Sequence, residues 1–166
     1  GNNTDFFVAR VFMNGTPVWF NRYNFDPGGA PFTSAHNIAK QLCEDTGGSI
    51  YVAGTLQDAG VANIDGLAFR LTPAGAVVWA NNYNIAPDDE FQAIRLSFDG
   101  NIVIGGFTNF GAVAPVTHHM LITKLFAATG GIMFQNVLRA RIGATVYTSR
   151  CYDIIESLAG GAVQYF

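Results

Sequence analysis

Large residues recur along this chain at intervals near sixty. Trp19 is followed by Trp79 and then Phe134, spaced by 60 and 55 positions, and Ile38, Ile94 and Ile154 are spaced by 56 and 60. Arg10, Arg70 and Lys124 each stand before a turn, and Tyr23, Tyr83 and Leu138 lie four residues beyond Trp19, Trp79 and Phe134. Repetition at such a period means that each copy is one supersecondary unit, which buries its apolar faces by stacking on neighbouring copies. The cleanest copy runs from Asp65 to Phe107. Its apolar runs Leu67–Leu71, Val77–Tyr83, Phe91–Phe98 and Ile102–Phe107 are of strand length and rich in β-branched and aromatic residues. Turn signals separate them at Pro73-Ala74-Gly75, Ala86-Pro87-Asp88-Asp89 and Asp99-Gly100-Asn101. The pattern predicts a four-stranded antiparallel meander in this copy, flanked by similar units, so that residues 5–56, 65–108 and 119–166 form one repeat region over 1–166.

The period, the four strands per unit and a Gly-x-x-x-Trp turn-to-strand signature imply an all-β, β-propeller-like fold of about three four-stranded antiparallel blades. Alternation along the strand places Val77, Trp79 and Asn81 on one face and Val78, Ala80 and Asn82 on the other. The indole is therefore expected to fill the gap between neighbouring sheets. Gly54 and Gly106 are expected to end their strands, where a bend or a close backbone approach excludes a side chain. Closed propellers have about four or more blades, so the chain is expected to be part of a larger or oligomeric propeller. A start at Gly1 without Met, and an end within the strand-like run 162–166, are expected of a processed piece or a part of a longer polypeptide.

Composition excludes several classes of function. Charged residues make up 13% of the chain, against about 25% in ordinary soluble domains, and polarity comes from Asn, Gly, Thr and Ser. The only lysines are Lys40 and Lys124, which favours an extracellular or cell-surface setting. A net charge of −3 with no basic cluster argues against nucleic acid, and no apolar run is long enough to insert across a membrane. Cys43 and Cys151 occupy different phases of the repeat, two units apart, and are read as free thiols.

Asp65, Arg70, Leu71, Gly75, Trp79, Tyr83, Ile94, Asp99, Gly100, Ile102 and Gly106 form the pattern D-x-x-x-x-R-L-x-x-x-G-x-x-x-W-x-x-x-Y, then an Ile-containing strand and D-G-x-I-x-x-x-G. This resembles the β-propeller repeats of large secreted bacterial proteins, of the kind found on Bacteroidetes surfaces, with a period near sixty residues. Copy one carries Thr46-Gly47-Gly48 in place of Asp-Gly, and copy three lacks the Trp, the Tyr and the Asp-Gly. In that family the motifs mark blades rather than an activity.

No Ser/His/Asp or Cys/His constellation and no phosphate-binding Gly loop is legible, so no catalytic residue, cofactor or metal is assigned. His118-His119 lacks a further ligand at a workable spacing. Asp88-Asp89-Glu90 lacks the alternation of a calcium loop and reads as a solvated turn. Arg10, Arg70 and Lys124 read as structural cations that cap a turn carbonyl or pair with a turn acid. Trp19, Trp79, Tyr23 and Tyr83 read as core positions of the repeat. Asn109, Phe110, His118 and His119 are the candidate ligand-facing loop residues. Together these features predict a non-enzymatic extracellular scaffold or protein-recognition module, partnered by another protein or by further blades of the same polypeptide. A lectin-like propeller that binds glycan is the second reading, and a fragment of a quinoprotein-like enzyme is the third.

Overall fold

A computed structural model of the chain describes residues 5–25, 36–57, 63–111, 118–159 and 162–165. The Asp26-Pro27-Gly28-Gly29 loop and the Gly160-Gly161 turn noted in the sequence lie outside the described residues. Every described element is a strand, and the strands pair antiparallel. In order they are β1 (Phe6–Val11), β2 (Pro17–Tyr23), β3 (His36–Glu44), β4 (Ile50–Gln57), β5 (Ile64–Leu71), β6 (Val77–Tyr83), β7 (Asp89–Leu96), β8 (Ile102–Thr108), β9 (His119–Leu125), β10 (Ile132–Leu138), β11 (Ala140–Ile142), β12 (Thr145–Tyr147), β13 (Glu156–Ala159) and β14 (Ala162–Tyr165).

The sheets do not coincide with the copies. Strands β3-β4-β5-β6 form one four-stranded meander and β7-β8-β9-β10 a second. The hairpins β1-β2, β11-β12 and β13-β14 stand apart from them. The stretch Asp65–Phe107, expected to be one meander, is instead divided after β6. Its first hairpin completes one sheet and its second begins the next. The turn at Ala86-Pro87-Asp88-Asp89 is therefore a passage between sheets, because Asp89 bends the chain away from β6. Its carboxylate accepts hydrogen bonds from the Ile85 and Ala86 amides at 2.5 and 2.8 Å.

Each hairpin forms for a local reason. At Thr72–Ala76 the Gly75 amide donates to Thr72 O, and Gly75 takes φ = 81°, a left-handed conformation open to glycine. Asp45 Oδ1 accepts from the Gly47 and Ser49 amides, both at 2.9 Å, and so closes the β3–β4 turn. A β-bulge follows each of the three turns that precede β2, β6 and β10. Arg10 pairs with Trp19 but Val11 with Pro17, Arg70 with Trp79 but Leu71 with Val77, and Lys124 with Phe134 but Leu125 with Ile132. The extra residue in each strand resets the alternation, so the ring of Trp19, Trp79 or Phe134 faces the following layer. Copy three thus keeps the backbone plan after losing the tryptophan.

Two further bulges sit in β3 and β7, opposite Gly54 and Gly106. These glycines lie inside β4 and β8 and do not end them. A Cβ on Gly54 would lie 2.1 Å from Ile38 O, and one on Gly106 would lie 2.0 Å from Glu90 O. The bulge drives the partner's backbone into the space a side chain needs. It also changes the equivalence of positions: Ala39 faces Gly54 as Phe91 faces Gly106, so Ile94 takes the place of Leu42 rather than Ile38.

The layers pack face to face. Phe6 and Val8 of β1 and Tyr23 of β2 meet Ile50, Val52, Leu56, Leu67, Phe69 and Leu71 of the β3–β6 sheet. Phe6 and Phe69 cross edge to face with centroids 5.2 Å apart, a geometry worth about 0.5–1.5 kcal/mol beyond burial. The opposite face of that sheet, with Tyr51, Ala53, Ala68 and Tyr83, packs on Phe91, Ile94, Ile102, Ile104, Leu121 and Leu125. Beyond the second sheet, Ala93, Val103 and Ile122 are covered by Cys151 and Ile154. The sequence suggests a strand over Cys151–Leu158, but only Glu156–Ala159 is extended and paired. Here Cys151 Sγ donates to Asp153 O at 2.9 Å and Asp153 Oδ1 accepts from the Ile154 amide at 2.9 Å, so the segment folds on itself. Both cysteines are free.

Candidate functional site

Trp19, Asn21 and Tyr23 alternate along β2 and so point from one face toward the hairpin that follows β5. Trp19 Nε1 donates to Pro73 O at 3.0 Å, and Asn21 Nδ2 and Tyr23 Oη donate to Gly75 O at 3.3 and 2.6 Å. Strand β6 repeats the arrangement one layer on. Trp79 Nε1 donates to Ala127 O at 3.0 Å, Asn81 Nδ2 to Thr129 O at 3.1 Å, and Tyr83 Oη to Gly130 O at 2.6 Å. A Trp-x-Asn-x-Tyr strand thus clamps the turn of the next layer through carbonyls that the turn itself leaves unpaired. Burial pushes the Tyr83 phenol up to about 12, with the Asn81 hydrogen bond opposing the shift; its hydroxyl stays a donor at any ordinary pH.

The recurrent cations do related work. Arg10 donates to Pro73 O and to Glu44 Oε1, each at 3.1 Å. Lys124, nearly buried, meets Ser97 Oγ at 2.7 Å, Asp99 Oδ2 at 2.9 Å and Glu156 Oε1 at 3.6 Å. Arg70 meets Ser49 Oγ at 2.9 Å and lies over the Tyr51 ring. The residue placed as Glu44 is to Arg10 is Leu96, so Arg70 has no acid from the next layer to reach.

The four loop candidates separate. Asn109 is locked onto Asp88, its Nδ2 donating to Asp88 Oδ2 at 3.0 Å and its Oδ1 accepting from the Asp88 amide at 3.3 Å. His119 is only 1% exposed, which removes it from any ligand-facing surface. It opens β9 opposite Thr108, which lies opposite Asp89, and all three side chains turn inward. Phe110 is half exposed. His118 joins a group the sequence did not reveal. Arg150 lies over the Phe107 ring, 4.6 Å from its centroid, with its Nη2 3.1 Å from His118 Nδ1 and its Nη1 3.4 Å from Tyr152 Oη. Burial and the Arg150 charge hold the His118 ring below its usual value of 6.5, so a neutral imidazole accepting at Nδ1 fits the contact. Arg150 and Tyr152 are exposed, and their donors suit an anionic or hydroxyl-rich ligand. Arg150 lies 43 positions beyond Phe107, and only the fold joins them.

Other polar groups are committed elsewhere. Asp88, Asp89 and Glu90 face three different partners, the last meeting Gln92 Nε2 at 2.8 Å and Lys40 Nζ at 3.8 Å. Among the described residues no three His, Cys, Asp or Glu side chains converge as a metal site would require. A cleft of about 190 Å³ lies where the two sheets meet, lined by Ile38, Lys40, Thr55, Gln57, Ile64 and Glu90.

Fold and site define an all-β chain of serially packed antiparallel sheets, joined by repeated side-chain clamps onto turn carbonyls. No protein-family model matches the chain, and no curated protein matches it.

Proposed function

We propose that the chain is a non-enzymatic scaffold or protein-recognition module of an extracellular or cell-surface protein, its four-stranded sheets acting as blades of a propeller-like arc. The observation that carries this reading is the repeated clamp. Trp, Asn and Tyr, the side chains best suited to bind a ligand, are used at equivalent positions to fix one layer on the next. Rigid spacing of layers is what a scaffold needs, while recognition falls to the loops on the rim. The few lysines and low charge support the extracellular setting. The test is a screen of the purified native protein for turnover and for a retained cofactor, with its mass measured by light scattering. Inert protein of defined mass supports the module; reproducible turnover or a cofactor absorption band overturns it.

One observation favours glycan binding as a second reading. Arg150 and Tyr152 form an exposed cationic and aromatic pair beside His118, seated over the buried Phe107 ring. A glycan array without hits, repeated on the assembled form, removes it.

A further inference from the structure

Three turns of this chain place a left-handed glycine before the next strand, and two of them are clamped; the turns at Gly15 and Gly75 share one hydrogen-bond pattern, and the turn at Gly130 is one residue longer. Gly15, Gly75 and Gly130 each close a turn between paired strands with φ of 83, 81 and 71°. At Gly75 a Cβ would lie 2.5 Å from Asn21 Nδ2, and at Gly130 it would lie 2.5 Å from Asn81 Nδ2. At Gly15 nothing stands within 4 Å. The strand before each turn shows the same contrast. Phe7 and Val11 are each 55% exposed, whereas Leu67 and Leu71, at the same positions of β5, are 2% and 0% exposed, and Leu121 and Leu125 of β9 are 0%. Phe20 stacks on Phe7 at 5.4 Å and extends the uncovered apolar face.

We propose that the Met13-Asn14-Gly15 turn and the outward face of β1-β2 are a docking station for a further β-sheet whose outer strand carries Trp-x-Asn-x-Tyr. The occupant is a repeat of this same class, supplied from outside these 166 residues. The proposal rests on the module reading and names its partner. Continuity with the interfaces already formed selects the occupant: at the two equivalent stations the carbonyls of the turn are met by one indole, one carboxamide and one phenol. Within the chain both such triads are engaged. Strand β10 carries Phe134, Asn136 and Leu138 instead, and only the asparagine among them has a polar donor. A second molecule of this chain therefore lacks two of the three clamping groups.

The test titrates a backbone-cyclised hairpin peptide, with the sequence of residues 65–83, into the ¹⁵N-labelled 166-residue chain. Saturable binding is expected, with the amides of Asn14, Gly15 and Thr16 shifting most. Placing Phe at the peptide's Trp79 position removes the indole donor and should weaken binding about five- to tenfold. Val11→Asp in the chain, or independently Phe7→Asp, should abolish binding while the amide spectrum of the two four-stranded sheets is retained. Four results overturn the assignment: no binding; binding indifferent to the Trp replacement; shifts centred on Gly75 or Gly130, which mark displacement of an existing clamp; or self-association that Val11→Asp abolishes, which makes a second molecule the occupant. Turnover or a retained cofactor would end the module reading and leave the titration unchanged, so the two failures are distinguishable.

Discussion

Gly15 and Gly75 offer a controlled comparison of a turn with and without its clamp. Alanine at either position must take φ near +80°, at a cost of about 1–2 kcal/mol for an L-residue. The loss of unfolded-state freedom that accompanies Gly→Ala is common to both and cancels. At Gly75 the new Cβ also meets Asn21 Nδ2 at 2.5 Å, Tyr23 Oη at 3.1 Å and Trp19 Cδ2 at 3.2 Å. The amide and the phenol must move, and both donate to Gly75 O. With each such bond worth about 0.5–1.5 kcal/mol net, Gly75→Ala should cost about 1–3 kcal/mol more than Gly15→Ala. Urea unfolding followed by tryptophan fluorescence measures both, provided the m-value is unchanged. A double-mutant cycle locates the cause: Tyr23→Phe should couple to Gly75→Ala and be additive with Gly15→Ala. Equal destabilisation by the two alanines, or additivity in both cycles, would refute the clamp as a source of stability.

Further outcomes follow from the buried polar groups. Lys124→Met removes the cation from Glu156, whose side chain is only 4% exposed and keeps its bonds from Ser97 Oγ and the Phe98 amide, and should cost about 3–5 kcal/mol, whereas Arg10→Met, at a more exposed pair, should cost at most about 1 kcal/mol; chemical denaturation of both variants checks the ranking. Burial pushes the Asp89 carboxyl above its usual 3.8, against hydrogen bonds from Thr108, Ala86 and Ile85, so its contribution is whole below that value and shrinks as pH rises through the raised one. Asp89→Asn keeps an acceptor and should remove this part of the stability–pH curve, while Asp89→Ala leaves two amides unpaired and should cost about 2–4 kcal/mol. Asp99 behaves in the opposite sense. Burial raises it, but donors on Lys124, Asn101 and Ser97 outweigh that and hold it well below 3.8; its contribution is whole above 3.8 and is lost on acidification, a loss that Asp99→Asn should reduce in unfolding curves between pH 2 and 5, a window set at roughly the width of a carboxylate titration. Burial pushes the Cys43 thiol up to about 12, with Arg95 opposing and Asp45 adding to the shift, and burial raises Cys151 too, so a thiol reagent at neutral pH should label neither until the chain unfolds.

Local chemistry made the strands legible. The runs at Val77–Tyr83 and Ile132–Leu138 match β6 and β10 residue for residue, since β-branched and aromatic residues between turn signals allow little else. The hairpin β11-β12 is not legible in the sequence, although Gly143 between Ile142 and Thr145-Val146-Tyr147 is a turn between β-branched residues; both strands are short and have no counterpart in the second copy. Among the candidate residues, the structural weight of Trp79 and Tyr83 could be inferred from their phase in the strand. His119 could not be assigned inward, because its neighbour His118 has the same chemistry and only the register of β9 on β8 separates them.

The sequence by itself determined the all-β class, most of the strands in residues 5–138 and the glycines that turn them, because these follow from spacing and from backbone sterics between near neighbours. Tertiary structure decided which hairpins share a sheet. Strand β5 has one edge for β6, close along the chain, and the other for β4, across residues 58–63. Both pairings join consecutive strands across short connections, so what tertiary structure adds is the break after β6: Leu67, Phe69 and Leu71 are buried against Phe6 and Val8 of an earlier layer, while Phe91 and Ile94 of β7 pack on the opposite face of the sheet instead of pairing at its edge. Tertiary structure also decided what the conserved spacing of Trp, Asn and Tyr within the two intact copies is for. Their acceptors are backbone carbonyls 47 to 54 residues away, and every residue type has a carbonyl, so the sequence carries no mark of the partner.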